Sequence, residues 1–394
     1  MSSQKSSEFL DNPFVLAPMA GITDMPFRRL IRKFGAGCVI SEFVSSHAVL
    51  HKNPRTERYL AFHEDERKVA IQLFGGDEAV LVEAAKIIED RGVDFIDLNL
   101  GCPVPKVTKK GGGSAWLNHP IELGKVLALL VKNLKIPLTI KIRTGWTSDS
   151  INAHEICRIA YEEGVHWVAI HGRTRAQGYA GQADWDYIEE VAERASLPVL
   201  GNGDVVSGLQ AAARYLNGHC AGVMIGRGAL KNPWIFDEAN VALKKLLDLD
   251  EVKRKELIDY VLRSQSLPSS GNVSDKKDYY TKKVKKLQPK PVSFMADWVH
   301  IRSDRNAHEL MNMHLEFLRE AYSEERVRLH FRKFLAWYSA GYPGSHEFRK
   351  YIFNNDSFDD IYAKAIEFFE MVKSLGKGGD QLRQADPVLM KGHG

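Results

Sequence analysis

The run DLNLGCPVPKV carries a cysteine, Cys102, at the end of an apolar stretch, in a loop stiffened by Pro103 and Pro105. A thiol held there can give a proton to one carbon while a reduced flavin delivers hydride to its neighbour, which is general acid catalysis of a double-bond reduction. Two further side chains suit the ring of such a cofactor. The amide of Gln72 offers a donor and an acceptor to its polar edge. The ammonium of Lys141, placed near the N1 and C2 carbonyl, would stabilise the anionic reduced form. A rim ion pair with Glu42 is the competing reading of Lys141. His171 and Arg173, in HGRTR, can orient substrate or ring, with a satisfied core histidine as the alternative for His171.

VLGNGDV and GVMIGRGAL supply what an anion needs, in Asn202, Gly203, Asp204, Gly226 and Arg227. Glycine lets backbone N–H groups approach a phosphate closely, and arginine adds charge-assisted hydrogen bonds. One phosphate points to a mononucleotide such as FMN. Taken alone, NGD is equally a turn and GRG a helix start. Cys38, Cys157 and Cys220 fall in strand-like, helical and pre-strand patterns and read as small hydrophobes. With no C-x-x-C pair, neither zinc nor a disulfide framework is predicted, and no metal is expected.

These residues need a scaffold that brings distant segments to one place. Eight short apolar runs begin near Phe14, Cys38, Val69, Phe95, Leu138, Trp167, Pro198 and Gly222. They recur about every 30 residues, the length of a parallel β/α repeat. Between them lie helical patterns such as AVLVEAAKIIEDR and IELGKVLALLVKNL. The first strand is followed by LAPMAGITD, which lacks the G-x-G-x-x-G of a doubly wound nucleotide fold, so a closed barrel is predicted. In a barrel, chemistry collects at the C-terminal strand ends. Those ends carry Pro18-Met19-Ala20, Glu42, Gln72, Asn99 with Gly101-Cys102-Pro103, Lys141 with Arg143, His171 with Arg173, Asn202-Gly203-Asp204, and Gly226-Arg227.

The predicted organisation is a (β/α)8 TIM barrel over 1–245, a lysine-rich insertion or linker over 246–306, a smaller all-α helical domain over 307–376 and a loose tail over 377–394. KKDYYTKKVKKLQPK, at 276–290, is either a solvated charge run or an RNA-contacting arm built around Tyr279 and Tyr280. The helical part offers Arg326, Arg328, Arg332 and Lys333 on a polar face, then breaks at Gly341 to Gly344. Its last helix follows Ser357, an N-cap, and shows Ile361, Ala365, Phe368 and Val372 at helical spacing.

Composition excludes little beyond disorder and membranes: of 394 residues 44% are hydrophobic and 26% charged, and the net charge is only +4. The N-terminal MSSQKSSEFLDN lacks the apolar core of a signal peptide, and no run reaches the roughly 18 apolar residues of a span. A reducing, cytoplasmic setting is the expectation.

Seven motifs in fixed order, LAPMAGITDMPFR, IQLFG, DLNLGCPVPKVTKKGGGSAWL, IKIRTGW, IHGRTR, GNGD and MIGRGAL, resemble the bacterial tRNA-dihydrouridine synthases, from about Asn12 to Phe236. RKFLAWYSAGYPGSHEFRK resembles that family's tRNA-binding helical domain. The resemblance implies an FMN enzyme that takes electrons from NADPH and reduces the C5=C6 bond of particular uridines in tRNA. By position, Pro18, Met19 and Ala20 match its first flavin loop, and Gln72 and Lys141 its ring-binding residues. Asn202, Gly203, Asp204, Gly226 and Arg227 match its phosphate loops, with His171 also beside the cofactor. Cys102 matches the cysteine that protonates C5 after hydride reaches C6. Asn99, Arg143 and Arg173 at the rim, and Arg328, Arg332 and Lys333 on the helices, are the expected substrate contacts. Trp116 departs from the pattern, where a smaller aliphatic residue is expected. A small-molecule FMN oxidoreductase and an RNA-binding protein with a redundant barrel are the alternatives.

Overall fold

Strand and helix alternate as the spacing predicts. The computed structural model describes residues 10–51, 54–265 and 306–374. The lysine-rich stretch 276–290 and the tail 377–394 lie outside them. Eight strands, β1 (Phe14–Leu16), β2 (Cys38–Ser45), β3 (Val69–Phe74), β4 (Phe95–Leu100), β5 (Leu138–Arg143), β6 (Val168–His171), β7 (Val199–Asn202) and β8 (Gly222–Ile225), pair in sequence order as a closed parallel barrel.

Because successive side chains on a strand face opposite sides, each strand feeds two cores. Ile71, Ile96, Leu98, Ile140, Ile142, Val168 and Ile170 face the surrounding helices and belong to the large shell core. Val15, Cys38, Ile40, Ala70, Phe95, Trp167, Ala169, Leu200 and Met224 form a separate apolar plug inside the barrel, with Leu10. Two residues further along the same faces, polarity replaces it. Ala70 gives way to Gln72, Phe95 to Asp97 and Asn99, Ala169 to His171, and Leu200 to Asn202. The barrel interior is apolar at its N-terminal end and polar at its C-terminal end.

Within 246–306, expected as an insertion or linker, Glu251–Gln265 is a helix packed on Gly208–Asn217. Leu257, Ile258 and Val261 are its buried stripe, a short signal hidden among the charges of EVKRKELIDYVLRSQ. Four helices follow after the undescribed residues, Ala307–Ala321, Glu324–Tyr338, Ser345–Asn354 and Phe358–Ser374. Gly341 and Gly344, at φ 87° and 74°, make the predicted break, since only glycine takes that left-handed turn at no steric cost. The last helix opens as expected, with the Asp360 N–H donating to Ser357 Oγ at 3.2 Å. Among the described residues no helix is long and apolar enough to cross a membrane.

The helical unit is joined to the barrel at the helix Met25–Lys33. Asp24 caps that helix by accepting from the Phe27 N–H at 3.1 Å. Its other oxygen accepts from the Tyr322 hydroxyl at 3.1 Å and lies 3.1 Å from His330 Nδ1. Phe27 stacks on Phe334, centroids 5.1 Å apart, and Arg29 pairs with both Asp65 and Glu320. One carboxylate thus ends a barrel helix and fastens two C-terminal helices. Asp24→Ala is expected to lower stability by about 2–4 kcal/mol, from a lost cap and unpaired buried donors. Asp24→Asn, which can still cap, should lose less in the same denaturant titration.

Candidate active site

A chain of buried hydrogen bonds runs upward from the apolar plug. Asp97 accepts from Thr139 Oγ1 at 2.6 Å on one oxygen and from Gln72 Nε2 at 2.6 Å on the other. Gln72 Oε1 accepts from Asn99 Nδ2 at 2.8 Å, and Asn99 Oδ1 accepts from the Cys102 N–H at 2.9 Å and the Gly101 N–H at 3.2 Å. Gln72 sits opposite Asp97 in the β3–β4 register, and Asn99 opposite Lys141 in β4–β5, so adjacent strands suffice to build the chain. It orients both the Gln72 amide and the loop that carries the thiol.

That loop is folded tightly onto its neighbours. The Cys102 carbonyl accepts from Ser114 Oγ at 2.9 Å and from the Ser114 N–H at 3.1 Å. Gly113, at φ 60°, leaves no room for a side chain, since a Cβ would sit 2.9 Å from the Cys102 oxygen. Trp116, the departure from the family pattern, is buried and donates its indole N–H to the Gly75 carbonyl at 2.9 Å. It pins the loop after β4 to the loop after β3. The Cys102 thiol is buried, and burial pushes its pKa up, against the pull of the Val104 N–H, Arg143 and Lys141. At neutral pH it is a protonated acid whose conjugate base has nearby positive charge.

From β5 round to β8 the rim is cationic. Lys141 is half-buried, and its ammonium has no hydrogen-bond or ion-pair partner among the described residues. Burial, with Arg143 close by, pushes its pKa down to about 8. Arg143 is buried and bonds the carbonyls of Gly101 (2.9 Å), Thr174 (3.0 Å) and Gly178 (2.8 Å). Arg173 is also buried and grips Asp204 with two bonds of 2.9 and 2.8 Å, together with the Ala180 and Gly181 carbonyls. His171 is held neutral by burial and by the fields of Lys141, Arg143, Arg173 and Arg227. Asp204, at φ 52°, is the carboxylate among these cations, 3.7 Å from Arg227.

Two glycines differ in what they accommodate. At Gly203, φ 133°, a Cβ would collide with Ala183 and press on the His171 ring, so the protein itself requires glycine. At Gly226 a Cβ would meet only Ala17 and Met19, at 3.6 and 3.7 Å, so no protein neighbour demands it. A partnerless ammonium, an excess of cations and an unfilled glycine edge suit an anionic ligand with a polar ring. The donors present fit FMN.

The structure brings together all the expected rim residues but divides those on the helices. Lys333 reaches the barrel and donates to the Gly21 carbonyl at 2.7 Å. Arg328 and Arg332 turn away, onto Asn355 and Asp356. Lys141 is not paired with Glu42, whose carboxylate accepts from the Gly21 N–H instead. Sequence reasoning missed Asp97 and Thr139, although two polar residues in alternate positions of FIDLNL were a usable sign. It also missed Tyr179, which lies beside Arg227 with 4.6 Å between guanidinium and ring centroid. Among the described residues no group of three or more metal-ligating side chains is present.

A closed parallel barrel with a protonated thiol, a polar amide and a cationic rim gathered at the strand ends has the architecture of a barrel enzyme. The family model described as Dihydrouridine synthase (Dus) matches residues 15–288. A "Probable tRNA-dihydrouridine synthase" of Rickettsia conorii is 32% identical, the alignment covering 93% of this chain and 96% of the relative. "tRNA-dihydrouridine synthase B" of Pseudomonas aeruginosa is 34% identical over 94% and 96%. A "Probable tRNA-dihydrouridine synthase" of Rhodobacter capsulatus is 41% identical over 64% and 78%. The chain belongs to the dihydrouridine synthase family, and with that membership is a flavin-dependent oxidoreductase.

Lys141 has a measurable consequence without any ligand. The folded protein holds this proton less tightly than the unfolded chain, so the charged amine costs stability below pH 8, and the cost fades as pH rises toward 10.5. Lys141→Met should therefore stabilise the ligand-free protein by up to about 3 kcal/mol at pH 7 while weakening flavin binding. Denaturant titrations at pH 7 and near pH 10, where the gain should shrink, check the sign.

Proposed function

We propose that this chain is a tRNA-dihydrouridine synthase that reduces the C5=C6 bond of uridines in tRNA, using FMN recharged by NADPH. The observation that carries the reading is the single hydrogen-bonded chain from Asp97 through Gln72 and Asn99 to the Cys102 loop, which ties a ring-binding amide to an acid. When bound, the flavin supplies hydride to C6.

The protein does the rest. Gln72 keeps one N–H and one lone pair for the ring after serving Asp97 and Asn99. Lys141 gives the ring a positive neighbour, and Arg227 with the backbone around Gly203 and Gly226 holds the phosphate. Pro18, Met19 and Ala20 border the cofactor from the β1 turn. Cys102 gives its proton to C5, and the thiolate left behind is eased by the Val104 N–H and by Arg143 and Lys141 until solvent reprotonates it. Arg143 and Arg173 act on the substrate through the loops whose carbonyls they hold.

A stacked base cannot reach a barrel mouth, so the target uridine must be unstacked from its loop, with phosphates held by basic residues. Relatives named for tRNA align over 92–94% of this chain, the helical unit included, which supports a tRNA-binding role for residues 307–376. A cytoplasmic setting accords with that substrate.

Comparing dihydrouridine maps of tRNA from cells with and without the gene tests the reading directly; identical maps overturn it. Cys102→Ala should keep FMN and tRNA binding and lose about 10²–10⁴ in the rate at which reduced enzyme is reoxidised by unmodified tRNA. An unchanged rate would remove the acid assignment.

A further inference from the structure

We infer that Lys333 of the helical unit and Glu42 of β2 are positioning residues for the cofactor, holding the turn after β1 from opposite sides. The inference rests on the FMN site proposed above and moves Lys333 from the RNA to the flavin.

Gly21 is the apex of that turn. Its N–H donates to the Glu42 carboxylate, and its carbonyl accepts from Lys333 Nζ at 2.7 Å. Behind it the turn closes on itself: the Met19 carbonyl accepts from the Ile22 and Thr23 N–H groups, each at 3.1 Å, and the Met19 N–H donates to Thr23 Oγ1 at 3.1 Å. Pro18, Met19 and Ala20, half-buried at the barrel mouth, therefore have little freedom apart from movement of the apex. At φ 71° Gly21 has no atom beyond its chain neighbours within 4 Å of where a side chain would start, so no neighbour packs on that side of the apex. From outside the turn, the two charged side chains hold its N–H and its carbonyl.

The surroundings of Lys333 argue against a free RNA contact. Its ammonium lies 4.8 Å from the Phe334 ring centroid, 5.5 Å from that of Trp337 and 3.5 Å from His330 Nδ1. The acidic groups that act on it, Asp24 and Glu42, both belong to the barrel side of the junction. Lys106, Lys109 and Lys110, by contrast, are exposed beside the Cys102 loop with no side-chain partner among the described residues. Glu42 is buried, which pushes its pKa up to about 7, and Lys333 and Arg28 are the cations that favour its charged form. Removing either Lys333 or the charge on Glu42 weakens the other's hold on the same residue.

The test uses the full chain, stripped of FMN and retitrated. Lys333→Met should raise the FMN dissociation constant about tenfold, the weight of one charge-assisted hydrogen bond, and change the visible circular dichroism of the bound flavin. Lys333→Arg, which can still donate to the Gly21 carbonyl, should stay within about threefold. Glu42→Gln should shift both readouts in the same direction as Lys333→Met, and carries the test if that variant does not fold. Filter binding to tRNA should change less than about threefold in the FMN-loaded variants. Unchanged FMN affinity and dichroism in Lys333→Met, with tRNA affinity lost, would make Lys333 an RNA contact and overturn the inference. Wild-type protein that takes up no FMN would overturn the cofactor reading before any variant is compared.

Discussion

A carboxylate buried in the middle of a parallel barrel must find donors, and Asp97 has two side-chain ones, Thr139 and Gln72. Burial pushes its pKa up, while those donors and the charge of Lys141 favour the ionised form. The arrangement above it follows from that demand. Gln72 turns its amide nitrogen down to Asp97, so its oxygen faces Asn99, and Asn99 in turn presents its oxygen to the Cys102 N–H. Losing one buried partner leaves another group unpaired, so the network holds its members at defined positions. The Cys102 loop and the Gln72 amide are thereby set relative to each other by the protein's own bonds.

The other half of the rim is organised by charge. Lys141, Arg143, Arg173 and Arg227 crowd one side of the mouth, and Asp204 is the carboxylate placed among them. Arg143 and Arg173 are made tolerable by the carbonyls they bond, and in return they shape the loop over 174–184. Lys141 makes no such bond among the described residues, and its charged form is favoured only by the fields of Asp97 and Cys102. The same positive field keeps His171 neutral and eases ionisation of Cys102.

The helical unit is fastened to this mouth by the ends of the same elements that build it. Asp24 ends the β1 turn, caps the following helix and receives Tyr322 and His330. The shell core of the barrel continues into the helices through Phe27, Phe331 and Phe334. Such continuity makes the helical unit a support of the barrel rim and ties the geometry of the two together.

The sequence by itself determined the repeat. Period, apolar runs and strand-end residues were enough for an eight-stranded barrel and for placing Cys102, NGD and GRG at the ends of strands four, seven and eight, because these depend on local spacing and on strand parity. The strand starts near Trp167 and Pro198 differ from the observed Val168 and Val199 by one residue. The helix Glu251–Gln265, inside the stretch expected as an insertion or linker, was not legible because its buried stripe is short and its charges dominate the window. Only the tertiary structure decided where polar groups point. A basic helix face lists Arg328, Arg332 and Lys333 as equals, yet packing sends the arginines to the Asn355–Asp356 turn and the lysine to Gly21. Nor does the sequence show that Asp97 anchors Cys102, since the bonds between them pass through Gln72 on another strand. Hydrogen bonds are directional and join residues far apart in the chain, so a partner becomes visible only when both ends have been placed.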